Sequence, residues 1–273
     1  MLDAVRLSLS WMTVLPVGRP GIPDAAAAGR SMTAMPVVGL VCGTVATAAA
    51  HAAHALGAGP VISGVVGVTV VLALTRGMHV DALADTVDGL GSYAGPDRAL
   101  EIMRSGSVGP MGAAALVLVL LAEVAALGTL VGSGAWLAPI AAFVLSRCLP
   151  VVQLRRGVPA ASPSGFGALV AGSQSRAAVL AVGLVCAAAG AGLAGSGWSG
   201  AEWSGSGWSG AGLSGALWWA PVAGAAVGIA AYCAAAGFAR HAVRRLGGIN
   251  GDVLGAGIEL GAAAALVAAV LLL

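Results

Sequence analysis

Charged residues are scarce in this chain: they make up 9% of its 273 residues, and none of the thirteen positive charges is a lysine. The chain is instead 59% hydrophobic, with a mean hydropathy of +0.95. A soluble domain with one core cannot bury so much apolar surface, because the buried fraction levels off with size. We therefore predict an all-α, polytopic integral membrane helical bundle, with residues 1–273 forming a single membrane domain.

Cysteines are few and isolated, and the N-terminus lacks a cleavage site. The four thiols lie in apolar runs without a C-x-x-C pair, which argues against a disulfide framework and a zinc site. We expect them to be buried and reduced: Cys42, Cys148, Cys186 and Cys233. The short apolar stretch Leu7–Val17 is followed by proline and arginine rather than by small residues. We therefore expect a retained cytoplasmic or interfacial segment, not a signal peptide.

Long apolar runs predict about seven membrane-spanning helices. These runs are Pro36–Leu56, Pro60–Thr75, Pro110–Val131, Ala135–Val152, Ala177–Ala194, Ala216–Phe238 and Leu254–Leu273. With seven spans every arginine falls on one side, including Arg147 near the end of the fourth, and the positive-inside rule makes that side cytoplasmic. The N-terminus is then cytoplasmic, as are the candidate catalytic segments 76–109 and 240–256. The Trp-Ser-Gly repeat at 195–215 becomes a low-complexity loop on the other side.

Acidic residues are as rare as the other charges, yet five of the eleven lie between positions 81 and 101. Asp81, Asp85 and Asp88 are spaced i, i+4, i+7, which on a helix places them within a sector of ~60°. Val80, Leu83, Val87 and Leu90 occupy another sector, so the segment predicts an amphipathic helix at the membrane surface. Unpaired carboxylates in this array suit Mg²⁺, although a solvated polar face would show the same spacing.

Three basic side chains lie within or next to this acidic run. His79 is a candidate general base, a phosphate contact or simply a polar residue at the start of the helix. Arg98 and Arg104 could hold phosphate oxygens or serve only to fix the topology.

A second polar motif, Gly247 to Ala256, precedes the last span. Glycines at a helix start allow an anion to approach the backbone, and the helix N-terminus attracts negative charge. Asp252 could instead be the N-cap of that helix. Glu259 and Glu123 lie inside predicted spans, where a carboxylate is costly and usually functional.

The acidic run resembles the H-L-D-G-L-A-D-T-x-D-G-L signature of the cobalamin synthase family, the adenosylcobinamide-GDP ribazoletransferases. Three further stretches are similar to family motifs in the same order. They are Leu15–Gly18, Ala99–Gly112 and Gly247–Ala256. Ala82 stands where the family has glycine, Asn250 stands where it has threonine, and residues 104–107 lack the aspartate that members usually carry.

The resemblance implies transfer of cobinamide phosphate from adenosylcobinamide-GDP to α-ribazole or its 5′-phosphate, with release of GMP. It implies Mg²⁺ on Asp81, Asp85 and Asp88, with these aspartates and His79 as catalytic residues. Candidate substrate-binding residues are Arg104, Gly248, Asn250 and Asp252. The protein would be a multi-pass cell-membrane enzyme with a cytoplasmic active site. Its partners would be the lipid bilayer and other enzymes of cobalamin assembly, and no nucleic acid.

Two other activities remain open from the residues. Asp85-x-x-Asp88-Gly89 matches the start of the CDP-alcohol phosphotransferase motif, but the rest of that motif is missing. A transporter would need its ionisable groups near the middle of the bilayer, whereas most of these groups fall in the predicted connections. A catalytically silent scaffold is a third alternative, because of the departures from the family motifs.

Overall fold

The computed structural model describes residues 2–18, 21, 23–194 and 219–273. Within these residues the chain forms helices and no strand, which confirms the all-α prediction. The predicted loop at 195–215 lies outside the described residues. The helices are α1 (Leu2–Met12), α2 (Ala25–Thr33), α3 (Met35–Ala55), α4 (Pro60–Thr75), α5 (Met78–Gly91), α6 (Pro96–Met103), α7 (Pro110–Gly132), α8 (Leu137–Gln153), α9 (Phe166–Val170), α10 (Arg176–Leu193), α11 (Ala220–Leu246) and α12 (Gly251–Leu271).

Each of the seven predicted spans corresponds to one helix, and together they confirm a polytopic helical membrane protein. By length and composition, α3, α7, α10, α11 and α12 can cross a membrane. Helix α8 is apolar but shorter, and α4 continues into α5 through a bend of 88°. We treat α4 as part of the membrane bundle and α5 as lying outside the spans. The count of seven and the cytoplasmic N-terminus stay predictions.

Small residues bring the helices close together. Gly39 and Gly43 of α3 face the backbone of α8 around Phe143, while Gly64 of α4 faces the backbone of α7 at Val124. A side chain at any of these glycines would collide with its neighbour. Close backbone approach of this kind suits helix packing in lipid, where van der Waals contacts drive association.

The predicted end of the sixth span is wrong. Helix α11 continues from Phe238 to Leu246 and ends at Gly247, which has a φ of +77°. Arg244 and Arg245 therefore lie in the last helical turn and not in a loop. Cations near a helix C-terminus interact favourably with the helix dipole, which explains why this charged segment stays helical.

Arg147 and Cys233 also differ from the sequence predictions. Arg147 is fully buried inside α8, where it donates a hydrogen bond of 2.8 Å to Ser146 Oγ and lies over the Phe143 ring, so it does not mark a loop. Glu123 and Glu259 are each 4% exposed and lie near enough to Arg147 for their charges to interact. Cys233 is exposed on α11, whereas the other three cysteines are buried as expected.

Candidate active site

A sharp turn between α4 and α5 sets the direction of the acidic helix. Arg76 and Gly77 both have left-handed backbone conformations, with φ values of +56° and +66°. Glycine adopts this region freely, but a residue with a side chain does so at a cost. The Arg76 guanidinium donates a hydrogen bond of 3.3 Å to the Trp11 carbonyl, which ties the turn to α1.

Helix α5 packs against α12 and α7, and its buried residues are His79, Ala82, Leu83, Ala84, Thr86 and Gly89. Of the predicted apolar sector only Leu83 is fully buried, whereas Val80, Val87 and Leu90 are half-buried. Helix α12 comes close at Gly255, where an added Cβ would lie 2.5 Å from the Cβ of Ala82. The absence of a side chain at Gly255 therefore lets α12 lie directly on α5.

This contact brings Asp252 to the aspartates of α5. Burial, followed by the charges of Asp81, Asp252 and Asp88 in that order of importance, raises the pKa of Asp85 to about 6. Repulsion among carboxylates is the electrostatic sign of a cluster that favours a cation or a proton. We call Asp81, Asp85 and Asp252 the carboxylate cluster.

Asp88 has a different environment from the other two aspartates of α5. Its Oδ2 accepts a hydrogen bond of 2.6 Å from the Gly109 amide, and its Oδ1 accepts one of 2.8 Å from the Gly112 amide. These amides belong to the first turn of α7 and would otherwise lack partners within that helix. Asp88 therefore caps α7 from a neighbouring helix, a role that the sequence did not predict. Its predicted metal role remains untested.

The motif before α12 has a local structure that explains its residues. Asn250, not Asp252, is the N-cap: its Oδ1 accepts a hydrogen bond of 3.0 Å from the Val253 amide. The predicted capping role for Asp252 is therefore wrong, because Asp252 lies in the first turn and accepts a 2.9 Å hydrogen bond from Asn250 Nδ2. Gly248 packs against the backbone of Ala160 and Ala161, where a side chain would not fit.

The two arginines near the cluster are in different surroundings. Arg104 lines a polar pocket of about 340 Å³ together with Ser162, Asn250 and Asp252, and its charge acts on that aspartate. Arg98 forms an exposed ion pair of 2.9 Å with Glu101. The structure thus brings Arg104 to the carboxylate cluster and leaves Arg98 on the surface.

His79 is buried at the start of α5. It is 3% exposed, and neither ring nitrogen has a hydrogen-bond partner among the described residues. Burial, followed by the charge of Arg147, lowers the pKa of His79 to about 3. The ring is therefore neutral near pH 7 and is a weak base, which favours a contact role over proton transfer.

The carboxylate cluster fits Mg²⁺ in its chemistry, although the described residues include no group of three or more His, Cys, Asp or Glu side chains arranged to hold a metal. Mg²⁺ prefers oxygen ligands, keeps several waters and is commonly bound by one or two carboxylates together with substrate phosphates. A site that is completed by the phosphates of a substrate needs no cage of protein ligands.

Two parts of the site were missed by sequence reasoning. Trp11 of α1 and Phe166 at the start of α9 contact each other edge to face beside the cluster. No local pattern in the sequence connected Trp11 or Phe166 to α5.

The chain is similar to known proteins over nearly its whole length. A family model described as Cobalamin-5-phosphate synthase matches residues 4–270. The chain is 38% identical to the adenosylcobinamide-GDP ribazoletransferase of Frankia casuarinae, with 97% of this chain and 93% of the relative covered. It is 36% identical to the protein of that name from Corynebacterium efficiens, with 96% and 88% covered, and 33% identical to the one from a Nocardioides species, with 98% of each covered. No solved structure matches the chain.

Proposed function

The chain belongs to the cobalamin-5-phosphate synthase family, and we propose that it acts as an adenosylcobinamide-GDP ribazoletransferase, which carries out a late step of cobalamin synthesis. Similarity to transferases of that name over nearly the whole chain favours this activity over a CDP-alcohol phosphotransferase or a transporter. The structural observation that carries the proposal is the convergence of Asp81, Asp85 and Asp252 beside Arg104.

The reaction is a displacement at phosphorus. The ribose hydroxyl oxygen of α-ribazole, or of its 5′-phosphate, forms a bond to the phosphorus that carries cobinamide. The bond from that phosphorus to the oxygen of GMP breaks, and GMP leaves. The hydroxyl proton must move to a base, and the negative charge on the pyrophosphate must be neutralised. In phosphoryl transfer the protein therefore contributes mainly positioning and electrostatic stabilisation.

The carboxylates divide this work between them in our proposal. Asp81 and Asp252 would hold Mg²⁺ together with the pyrophosphate oxygens of the donor, and the bound ion would supply positive charge at the reacting phosphate. A carboxylate oxygen of Asp85 would take the proton from the acceptor hydroxyl, since burial and the neighbouring carboxylates raise its pKa to about 6 and make it a better proton acceptor near pH 7. Asp88 would act indirectly, by fixing α7 against α5.

Arg104 and the start of α12 would bind the donor. The guanidinium can donate two parallel hydrogen bonds to phosphate oxygens, and the amides in the first turn of α12 favour an anion. Asn250 and Gly248 hold the backbone of this turn in place beside the polar pocket. The cytoplasmic position of the site and contacts with other enzymes of cobalamin assembly belong to the same proposal.

Reconstitution in liposomes tests the activity. The purified protein would receive adenosylcobinamide-GDP, α-ribazole phosphate and Mg²⁺, and GMP and the corrinoid product would be quantified with and without EDTA. We expect equal amounts of both products and loss of both with EDTA. GMP release without a corrinoid product would indicate hydrolysis and contradict the transferase assignment, whereas activity that survives EDTA would contradict only the metal.

A further inference from the structure

A second cavity lies beside the carboxylate cluster, and its chemistry is unlike that of the Arg104 pocket. It has a volume of about 400 Å³, within the usual range for small ligands of ~300–1,000 Å³. Its walls come from α1, α2, α3, α5, α8, α9 and α12, and most of them are apolar. Asp81 and Asp252 line the same cavity, so it opens onto the cluster.

The apolar walls are suited to a flat ring. Met32 and Met35 line the cavity and are each 1% exposed. Trp11 and Phe166 also line it and meet edge to face at 5.4 Å. Thioether sulfurs make favourable contacts with the edges of aromatic rings, and aromatic side chains pack well against other rings. An extended polar or charged group would lose its hydration here without compensation.

His79 gives the apolar part of the cavity a buried hydrogen-bonding group. Its ring lines the cavity, is almost completely buried, and leaves both nitrogens without a partner among the described residues. An unsatisfied buried polar group is costly, so such groups usually have a partner. Both nitrogens are covered by neighbouring side chains, so a ligand in this cavity would supply the missing partner by displacing part of the lining and presenting a hydrogen-bonding atom to the imidazole.

We propose that this cavity binds the heteroaromatic base of the ribazole acceptor, with the base between the methionines and aromatic side chains and its free ring nitrogen bonded to His79. This inference rests on the proposed function. The ribose joined to the base would then extend towards Asp81 and Asp252, which places its hydroxyl at the carboxylate cluster. The corrin and the charged pyrophosphate of the donor do not fit here, which leaves its purine bases as competing rings, and separate KM values for donor and acceptor distinguish these from the ribazole base.

Two variants in α12 test the position of the base. Ile258 is 2% exposed and lines the cavity, whereas Leu260 is 41% exposed and does not. Ile258→Phe should narrow the cavity and raise the KM for the acceptor roughly tenfold, as expected for a changed apolar pocket, while the KM for adenosylcobinamide-GDP stays the same. Leu260→Phe should leave both KM values unchanged. Met78→Phe, at a half-buried position of the lining, repeats the test if Ile258→Phe is unstable.

A pair of ligands tests the bond to His79 without turnover. A benzimidazole nucleoside carries the free ring nitrogen, and its indole analogue has a CH group in that place. Isothermal titration of the protein in nanodiscs, without the donor, should show at least about tenfold tighter binding of the benzimidazole nucleoside. His79→Leu should abolish this preference, and His79→Gln should restore part of it.

The outcomes separate the subsite from the activity. Equal losses of affinity for donor and acceptor in Ile258→Phe, or equal binding of the two nucleosides by the unaltered protein, would overturn the subsite and leave the transferase standing. Nucleoside binding with the expected preference, but no transfer from the donor, would support the subsite and overturn the transferase.

Discussion

At the scale of single residues, the aspartates of α5 lie on one side of the helix but have different partners. Asp85 faces Asp81 and Asp252, while both oxygens of Asp88 accept hydrogen bonds from the first turn of α7. The i, i+4, i+7 spacing predicted their common side of the helix. The spacing could not predict that Asp88 has different partners from Asp85, because the amides of Gly109 and Gly112 lie more than twenty positions away in the chain.

Replacing Asp88 should therefore affect stability before chemistry. Asp88→Ala removes the cap of α7, and loss of a helix cap costs about 0.5–2 kcal/mol. Asp88→Asn retains an oxygen acceptor and should lose less. Thermal unfolding in detergent measures the difference, with Asp97→Ala on the exposed start of α6 as the matched control. Unchanged unfolding of Asp88→Ala would show that the cap contributes nothing.

Asp85 should control the acidic side of the pH profile. Its pKa is raised to about 6, so the carboxylate is charged above this pH and protonated below it. A proton acceptor works only when charged, so kcat/KM should fall about tenfold for each pH unit below that value. The measurement is a pH series of GMP release at saturating Mg²⁺. A flat profile down to pH 5 would exclude Asp85 as the base.

At the scale of helices, the contact between α5 and α12 assembles the site. Gly255→Ala would place its Cβ 2.5 Å from the Cβ of Ala82, which forces the two helices apart. Asp252 would then move away from Asp81 and Asp85. We expect a loss of activity of at least about tenfold, since small displacements of catalytic groups are costly.

A second substitution provides the control for this prediction. Ala82→Gly removes the opposing methyl group, so Gly255→Ala combined with Ala82→Gly should recover most of the activity. Initial rates of the two single variants and the double variant test this. An active Gly255→Ala protein, or a double variant no better than the single one, would show that the spacing of the helices is unimportant.

Long apolar runs predicted the long helices, and the spacing of the aspartates predicted that α5 is helical. The apolar stripe did not identify the buried face of α5, because small residues such as Ala82 and Gly89 are buried there. Short helices such as α6 and α9 were missed, since their few residues carry little pattern. The predicted sixth span ends too early, because Arg240, Arg244 and Arg245 lie within α11. The cavity could not be predicted, because Trp11, His79 and Ile258 meet only in the folded bundle.

At the scale of the whole molecule, the orientation in the membrane follows from the arginines. If their side is cytoplasmic, exposed Ser105 and exposed Leu56 lie on opposite sides of the membrane. In a Cys233→Ala background, Ser105→Cys should react with an impermeant maleimide only in inverted vesicles, and Leu56→Cys only in right-side-out vesicles. Labelling of both from the same side would refute the predicted topology.

Arg147 is an exception among the arginines that indicate the orientation in the membrane. It is one of the arginines that the prediction places at the cytoplasmic side, yet it is enclosed by the helices of the bundle. A buried arginine contacts protein groups and does not report on the nearest loop. The remaining arginines still fall on one side of the predicted spans, so the orientation does not depend on Arg147.

We propose that Asp81, Asp85 and Asp252 form one catalytic site. A single-turnover assay tests this proposal most directly. GMP release would be measured in liposomes for the unaltered protein, for Asp85→Asn and Asp252→Asn, and for Asp97→Asn as a control outside the carboxylate cluster. We predict a loss of about 10²-fold or more in both cluster variants, with normal membrane insertion, and none in the control. Full turnover by Asp85→Asn or Asp252→Asn would contradict the site described here.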